Sequence, residues 1–374
     1  MLPYPETEPG LRLGRLRSRM EEAGLNALLV YSKQWKAEVI HYVSNYRMLG
    51  PYSWCLVPLE GEPVLYLSEP LDERRAKAES WISNVRVIEE GNAFAPVQDC
   101  GLISGSIGVV GLEIMGAPVY RAVSEGLGDR LVNAFPLLDQ AAKIKSEWEL
   151  EHIIIGGKLG DMGFLAELAA AKPGIKEYEL AAELNYEMIR NGADDNFQMF
   201  SFGRKLDCMH VPRENALQEG DLILAEITPY IGSMNYATQL CRTAKSGEVV
   251  KIEKEKYGLL AEALEEALAV MRPGVPMREV AAVMNRIIGG AGYEKYCHPP
   301  FMRSRGHSFG LGQIDLTEDN EELLAPGMAM VVHPNQMIPE VGYLACGETV
   351  YVTETGIVRV SGLPPKLYET GGVS

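Results

Sequence analysis

The strongest constraint on this 374-residue chain is that part of it is written twice. Residues 172–193 read KPGIKEYELAAELNYEMIRNGA and residues 272–293 read RPGVPMREVAAVMNRIIGGAGY. At an offset of 100 the pairs Pro173/Pro273, Gly174/Gly274, Glu179/Glu279, Ala181/Ala281, Ala182/Ala282, Asn185/Asn285 and Gly192/Gly292 are identical. Each copy predicts a Pro-Gly turn, an amphipathic helix and a glycine stop. The correspondence runs on downstream. Gly220 precedes an apolar strand ending at Glu226, and Gly327 precedes another ending at His333, each residue six positions after its glycine. A histidine comes before each unit, His210 and His307. Two copies of one helix–strand unit predict a C-terminal α+β domain with an internal pseudo-twofold repeat. Its half-repeats fall at about 150–245 and 250–355, with Glu226 beside His333 and His210 opposite His307 in one central site.

Upstream, Leu13, Leu16, Met20 and Ala23 form a helical stripe that stops at Gly24. Ala27–Tyr31 and Ile107–Leu112 read as strands, Trp54–Val57 and Val64–Leu67 as a hairpin around Pro58 to Pro63, and Pro118 opens a helix. This predicts an α/β domain over residues 1–140, with the second domain over 141–374. Ser146 followed by Glu149 is a capping box that opens a long helix.

Net charge is −16, which disfavours nucleic acid and anionic membrane as partners, since both need a basic face. No apolar run reaches the roughly 18–20 residues of a membrane span, and the start MLPYPETEPG has no secretory pattern. The six cysteines show no CxxC spacing, which suits a reducing, cytoplasmic compartment. No Walker loop, strand-following GxGxxG, GxSxG or HExxH occurs.

Three of the six histidines lie in the duplicated frame. His307 sits in Gly306-His-Ser-Phe-Gly310, where glycines let backbone and ligand approach closely. His210 precedes Val211-Pro212 in a loop, and a histidine titrates near enough to neutrality to act as acid or base. Glu226 ends a buried strand and needs a partner or a raised pKa; the competing reading is a salt bridge to Arg242. Period-two alternation sets Gln239 and Cys241 on one face and Leu240 and Arg242 on the other. Cys241 reads as a nucleophile or as an inert buried thiol, and Glu348 as a site residue or an arginine partner.

Several of these segments, taken jointly, resemble the pita-bread family of creatinase, prolidase and aminopeptidase P. They are Ile40 to Pro51, Trp54-Cys-Leu-Val-Pro58, Lys143-Ile-Lys-Ser-Glu-Trp-Glu-Leu150, Glu219-Gly-Asp-Leu-Ile-Leu224, Gly306 to Gly310, Pro326-Gly-Met328 and Glu348 to Glu354. The resemblance implies a creatinase-like N-terminal α/β domain and a pita-bread C-terminal domain. The family's peptidases bind two metal ions through Asp, Asp, His, Glu and Glu. At those places this chain carries Glu226, Gln239, His307, His333 and Gly347, so both bridging carboxylates are lost. The loop histidine of creatinase, the family's metal-free hydrolase, matches His210, and ectoine hydrolase is a second small-molecule relative. The two catalytic-site glutamates of creatinase fall on Cys241 and His333, so creatine chemistry is not preserved.

The resulting expectation is a metal-independent hydrolase of a C–N bond in a small amide, lactam or guanidino compound. His210 would be the principal acid/base, His307 would hold the developing oxyanion, Glu226 and His333 would form a coupled pair, and Gln239, Cys241 and Glu348 would meet substrate. The family resemblance implies a homodimer whose neighbouring N-terminal domain covers the site, with Arg47, Tyr46 and Tyr52 gripping a substrate carboxylate. The alternative is a mononuclear Xaa-Pro-type peptidase or lyase with one zinc or iron on Glu226, His307 and His333. A second alternative is a non-catalytic small-molecule-binding pseudoenzyme.

Overall fold

The computed structural model describes residues 2–90 and 92–371. Contacts divide the chain between Lys143 and Ile144 into two compact units.

The first unit runs α1 (Glu8–Glu22), β1 (Leu25–Lys33), α2 (Glu38–Ser44), β2 (Tyr52–Pro58), β3 (Val64–Leu67), α3 (Glu73–Glu79), β4 (Asn84–Val87), α4 (Ala95–Gly101), β5 (Ser106–Val110), α5 (Ala117–Leu127), β6 (Leu131–Asn133) and α6 (Phe135–Lys143). Its mixed sheet has the order β4-β3-β2-β1-β5-β6, with β1 antiparallel to β2 and parallel to β5. β1 is buried almost end to end because a central strand of such a sheet is covered on both faces. The α1 stripe buries Leu16 and Met20, and the chain leaves the helix through Gly24 at φ +64°.

The second unit runs α7 (Glu147–Ala170), α8 (Glu177–Arg190), β7 (Asp195–Gly203), β8 (Leu222–Ile231), β9 (Tyr236–Ala237), β10 (Leu240–Lys245), α9 (Lys251–Val270), α10 (Met277–Ile288), β11 (Gly306–His307), β12 (Ala329–Val332), β13 (Gln336–Ile338), β14 (Gly342–Leu344) and β15 (Gly347–Val352). The capping box closes α7 in both directions: the Glu149 amide donates to Ser146 Oγ at 3.1 Å and the Ser146 amide to Glu149 Oε2 at 2.8 Å.

The duplication is visible bond by bond. The Gly174 amide donates to the Leu217 carbonyl at 2.8 Å, and the Gly274 amide to the Leu324 carbonyl at 2.9 Å. The return bonds, Leu217 to Ile175 and Leu324 to Val275, are both 2.9 Å. The turn glycines Gly220 and Gly327 share the left-handed conformation, at φ +85° and +88°.

The strand order is β11-β12-β15-β10-β8-β7, and it corrects one expectation. β8 and β12 are not neighbours, because β10 and β15 lie between them. Three inter-strand steps place the Glu226 and His333 backbones roughly 14 Å apart. One face of this sheet carries α7: a Cβ added at Gly156 would meet Thr238 at 2.9 Å, and one at Gly160 would meet Leu240 at 3.7 Å. Thr238, Leu240 and Arg242 therefore point to the helices, and Gln239 and Cys241 point to the other face.

Candidate functional site

The register lines up a transverse row on the helix-free face. Glu226 on β8 pairs with Cys241 on β10, which pairs with Gly347 on β15. Val332 pairs with Glu348, which brings His333 beside Gly347, where an added Cβ would meet the His333 Cβ at 2.4 Å. The row thus reads Glu226, Cys241, Gly347, His333 across four strands. The gap left by the missing side chain at Gly347 separates the carboxylate from the imidazole.

His307 completes one end. It pairs with Val331, so it shares the face of His333, and the two rings lie 5.3 Å apart at 63°. Burial, helped by His307, pushes the His333 pKa down to about 3, so its imidazole is neutral at physiological pH. The buried His333 Nδ1 has no hydrogen-bond partner among the described residues. His307 is half-buried, with Nδ1 3.2 Å from the Ser308 carbonyl and its ring against Phe309.

At the other end burial raises the Glu226 carboxyl above its ordinary value, opposed by hydrogen bonds from Asn335 and Cys241. The Asn335 amide donates to Glu226 Oε1 at 2.6 Å and the Cys241 thiol reaches the same oxygen at 3.7 Å. Asn335 was not among the residues singled out from the sequence. A usable signal existed: it stands two positions after His333, as Thr228 stands two after Glu226, and Thr228 accepts from Gln239 at 3.2 Å.

Several expected roles are corrected. Glu226 and His333 do not form a coupled pair; each has its own partners, and neither touches the other among the described contacts. Nor does Glu226 bridge to Arg242. That guanidinium, on the helix side, donates to Glu348 Oε2 at 2.6 Å, and Arg359 also binds Glu348. Glu348 is therefore a buried ion-pair residue facing the helices and takes no part in the site. Cys241 is fully buried and its thiol is raised well above the normal value by desolvation and by Glu226, which makes it inert as a nucleophile. Gln239 lies on the site face, but its amide is engaged with Thr228 and with Cys241, whose Sγ is 3.5 Å from Oε1.

His210 bridges Phe200, which pairs with Ala225, so it belongs to the row that faces the helices. Its Nδ1 lies 2.9 Å from the Val211 carbonyl and 3.6 Å from Glu177 Oε2. Among the described residues no hydrogen bond or ring contact joins it to Glu226, His307 or His333, and it does not face His307. In the first unit Tyr46 is fully buried, its hydroxyl donating to the Asp72 carbonyl at 3.5 Å, so it cannot reach a substrate. Arg47 and Tyr52 are half-buried in the same unit.

Residues 151–354 match the sequence model of "Metallopeptidase family M24", and residues 12–141 that of the "Creatinase/Prolidase N-terminal domain". The chain belongs to this family of hydrolases, which includes creatinase, prolidase and aminopeptidase P. It is 25% identical over 368 residues to the uncharacterized peptidase YqhT of Bacillus subtilis, covering 96% of this chain and 99% of that one. It is 25% identical over 360 residues to the Xaa-Pro dipeptidase of Pyrococcus furiosus, covering 94% and 97%. The prolidase structure from Pyrococcus horikoshii superposes with a TM-score of 0.81 at 23% identity, covering 94% and 97%. The Xaa-Pro dipeptidase structure from Bacillus anthracis does so with a TM-score of 0.84 at 21% identity, covering 96% and 99%. These likenesses show the two-domain pita-bread fold.

The family implies a two-metal centre, and the residues here do not fit one. At Gly347 an added Cβ would stand 2.4 Å from the His333 Cβ and 2.6 Å from the Val332 carbonyl oxygen, so the backbone leaves no room for a carboxylate. Gln239 offers a neutral amide already bound on both ends. Among the described residues no group of three or more His, Cys, Asp or Glu is placed to hold a metal ion, and that includes Glu226, His307 and His333. No described helix is long and apolar enough to cross a membrane.

Proposed function

We propose that the chain is a hydrolase of a C–N bond in a small dipeptide-like amide, working from its own glutamate and histidines rather than from a two-metal centre. The observation that carries this reading is the row Glu226, Cys241, Gly347, His333: it keeps an acid and a base at its ends and closes the place of a bridging ligand between them. The Xaa-Pro dipeptidases among the relatives support narrowing the substrate from any amide, lactam or guanidino compound to a dipeptide-like amide.

In this reading Glu226 takes a proton from water, and the oxygen adds to the carbonyl carbon. His333 stays neutral and its imidazole offers an N–H from Nε2, the ring nitrogen not sealed from solvent, to the carbonyl oxygen as it gains charge, much as an uncharged imidazole can serve as an electrophile. His307, the more exposed of the two rings, gives a proton to the nitrogen as the C–N bond breaks; water then takes the proton held by Glu226 and returns one to His307. Removing a positioned acid or base typically costs ~10²–10⁴-fold in rate.

The test is protein purified without added metal, assayed on Xaa-Pro dipeptides and other small amides with and without chelator, alongside elemental analysis. Turnover that survives chelator and falls ~10²–10⁴-fold in Glu226→Gln is the expected result. Two equivalents of metal with chelator-sensitive activity would overturn it. One equivalent would favour the single-ion alternative, and ligand binding without turnover the non-catalytic one.

A further inference from the structure

Resting on that reading, we propose that Asn335 is the positioning residue of the site, aiming the Glu226 carboxylate through one buried amide hydrogen bond. Asn335 follows β12 in the second half-repeat, whereas Glu226 stands on β8 in the first, beyond β15 and β10. Past the end of β12 its side-chain amide nonetheless meets the Glu226 carboxylate, donating to Oε1 at 2.6 Å.

The orientation of the amide is forced. Asn335 Oδ1 accepts the Cys346 backbone N–H at 2.8 Å, and a backbone donor cannot become an acceptor. The Nδ2 end must therefore face the carboxylate; the flipped amide would set oxygen against oxygen and N–H against N–H. The residue is 2% exposed, so water does not substitute for either bond. Its main chain is anchored as well: the Asn335 carbonyl accepts from Arg305 Nη1 at 3.0 Å. Arg305, itself buried, donates to Asn285 Oδ1 at 2.6 Å and to Gln336 Oε1 at 2.8 Å. Asn285 is one of the residues repeated between the two halves. A continuous buried chain thus runs from α10 through Arg305 and Asn335 to Glu226.

The remaining contacts around Glu226 cannot take over this task. Cys241 offers a weak thiol donor at 3.7 Å, and Met199, its partner on β7, offers none. Gly347, next in the row, has no side chain. Among the described residues the one strong hydrogen bond to the Glu226 carboxylate comes from the Asn335 amide. The Tyr343 hydroxyl feels the Glu226 charge but makes no hydrogen bond to it among the described contacts, so removing the amide leaves the carboxylate freer to rotate off the line to substrate.

Three variants test this on the full chain: Asn335→Ala, the isosteric Asn335→Asp, which keeps the acceptor for Cys346 and loses the donor, and the exchange Glu226→Gln with Asn335→Asp, which restores one amide–carboxylate bond with the charge moved. We expect Asn335→Asp to lower kcat on a Xaa-Pro dipeptide by ~10²-fold with KM nearly unchanged, the signature of misplacement and not of lost binding. The exchange should regain the thermal midpoint lost in Asn335→Asp without regaining turnover. The carboxylate infrared band assigned to Glu226 by difference against Glu226→Gln should move in Asn335→Ala and in Asn335→Asp. An unmoved band, or additive midpoint losses in the exchange, would overturn the proposal. The band and the midpoints need no turnover, so a protein inactive on every amide would sink the hydrolase reading while still deciding the clamp.

Discussion

The two halves of the second unit begin alike and end differently. Both open with a Pro-Gly turn and an amphipathic helix, and both pass through a left-handed glycine into a buried strand. The first half then builds strands of 9, 10 and 6 residues, the second strands of 2, 4 and 6. At equivalent positions, six residues after the turn glycines, one half carries an acid and the other a base. But Glu226 sits inside β8, which runs on to Ile231 instead of ending at the glutamate, while His333 stands just past β12. Burial pushes Glu226 up and His333 down, which is a single physical effect, since a low-dielectric setting penalises whichever form is charged. Both residues are thereby biased toward neutrality by the same kind of site. A duplicated scaffold has delivered two complementary groups to one face without either having to neutralise the other.

The largest expected effect comes from restoring at position 347 the carboxylate that the family resemblance places there. Gly347→Glu must push its Cβ against His333 and the Val332 carbonyl, both of them backbone or backbone-near atoms. Overpacking of this kind typically costs ~1–3 kcal/mol, and here a buried charge is added. We expect a large drop in thermal midpoint and no gain in bound metal by elemental analysis. A stable variant that takes up two ions would mean the two halves still hold a latent metal centre.

Acid titration sharpens the contrast between the halves. The folded pKa of His333 lies below its unfolded value, so between about 6.5 and about 3 the unfolded chain binds the extra proton. The contribution is complete above the unfolded pKa and is lost as pH falls through this window. Denaturant midpoints of the parent chain should therefore decline on acidification, and His333→Gln should flatten the decline. Parallel curves for both proteins would show that His333 is not the buried neutral group described here.

A smaller effect is expected in the supporting helices. At the offset of 100, Glu167 of α7 corresponds to Ala267 of α9, and both are fully buried. Neither Glu167 carboxyl oxygen has a partner among the described residues, and desolvation raises its pKa well above normal. A carboxyl raised on folding costs stability as pH rises from the unfolded pKa through the folded one. Glu167→Leu, similar in volume, should stabilise by ~1–3 kcal/mol, with a larger gain at pH 8 than at pH 5. Urea melts at the two pH values measure it; an equal gain at both would place the Glu167 carboxyl in water.

What could be read from the sequence alone was local or periodic. The Ser146/Glu149 box, the Pro58–Pro63 hairpin, the α1 stripe and the paired Pro-Gly turns each depend on residues a few positions apart, where spacing dictates geometry. The opposite facing of Cys241 and Arg242 came the same way, from the period of a strand. The family pattern carried His307 and the missing ligands at 239 and 347. What the tertiary structure alone decided was which strands lie side by side. Strand order is set by packing between segments distant in sequence, so the insertion of β10 and β15 between Glu226 and His333 left no local mark. The same cause turned His210 toward Glu177, gave Arg242 to Glu348, and let Asn335 reach Glu226 from 109 residues away. A hydrogen bond needs proximity in space, and only the assembled sheet supplies it.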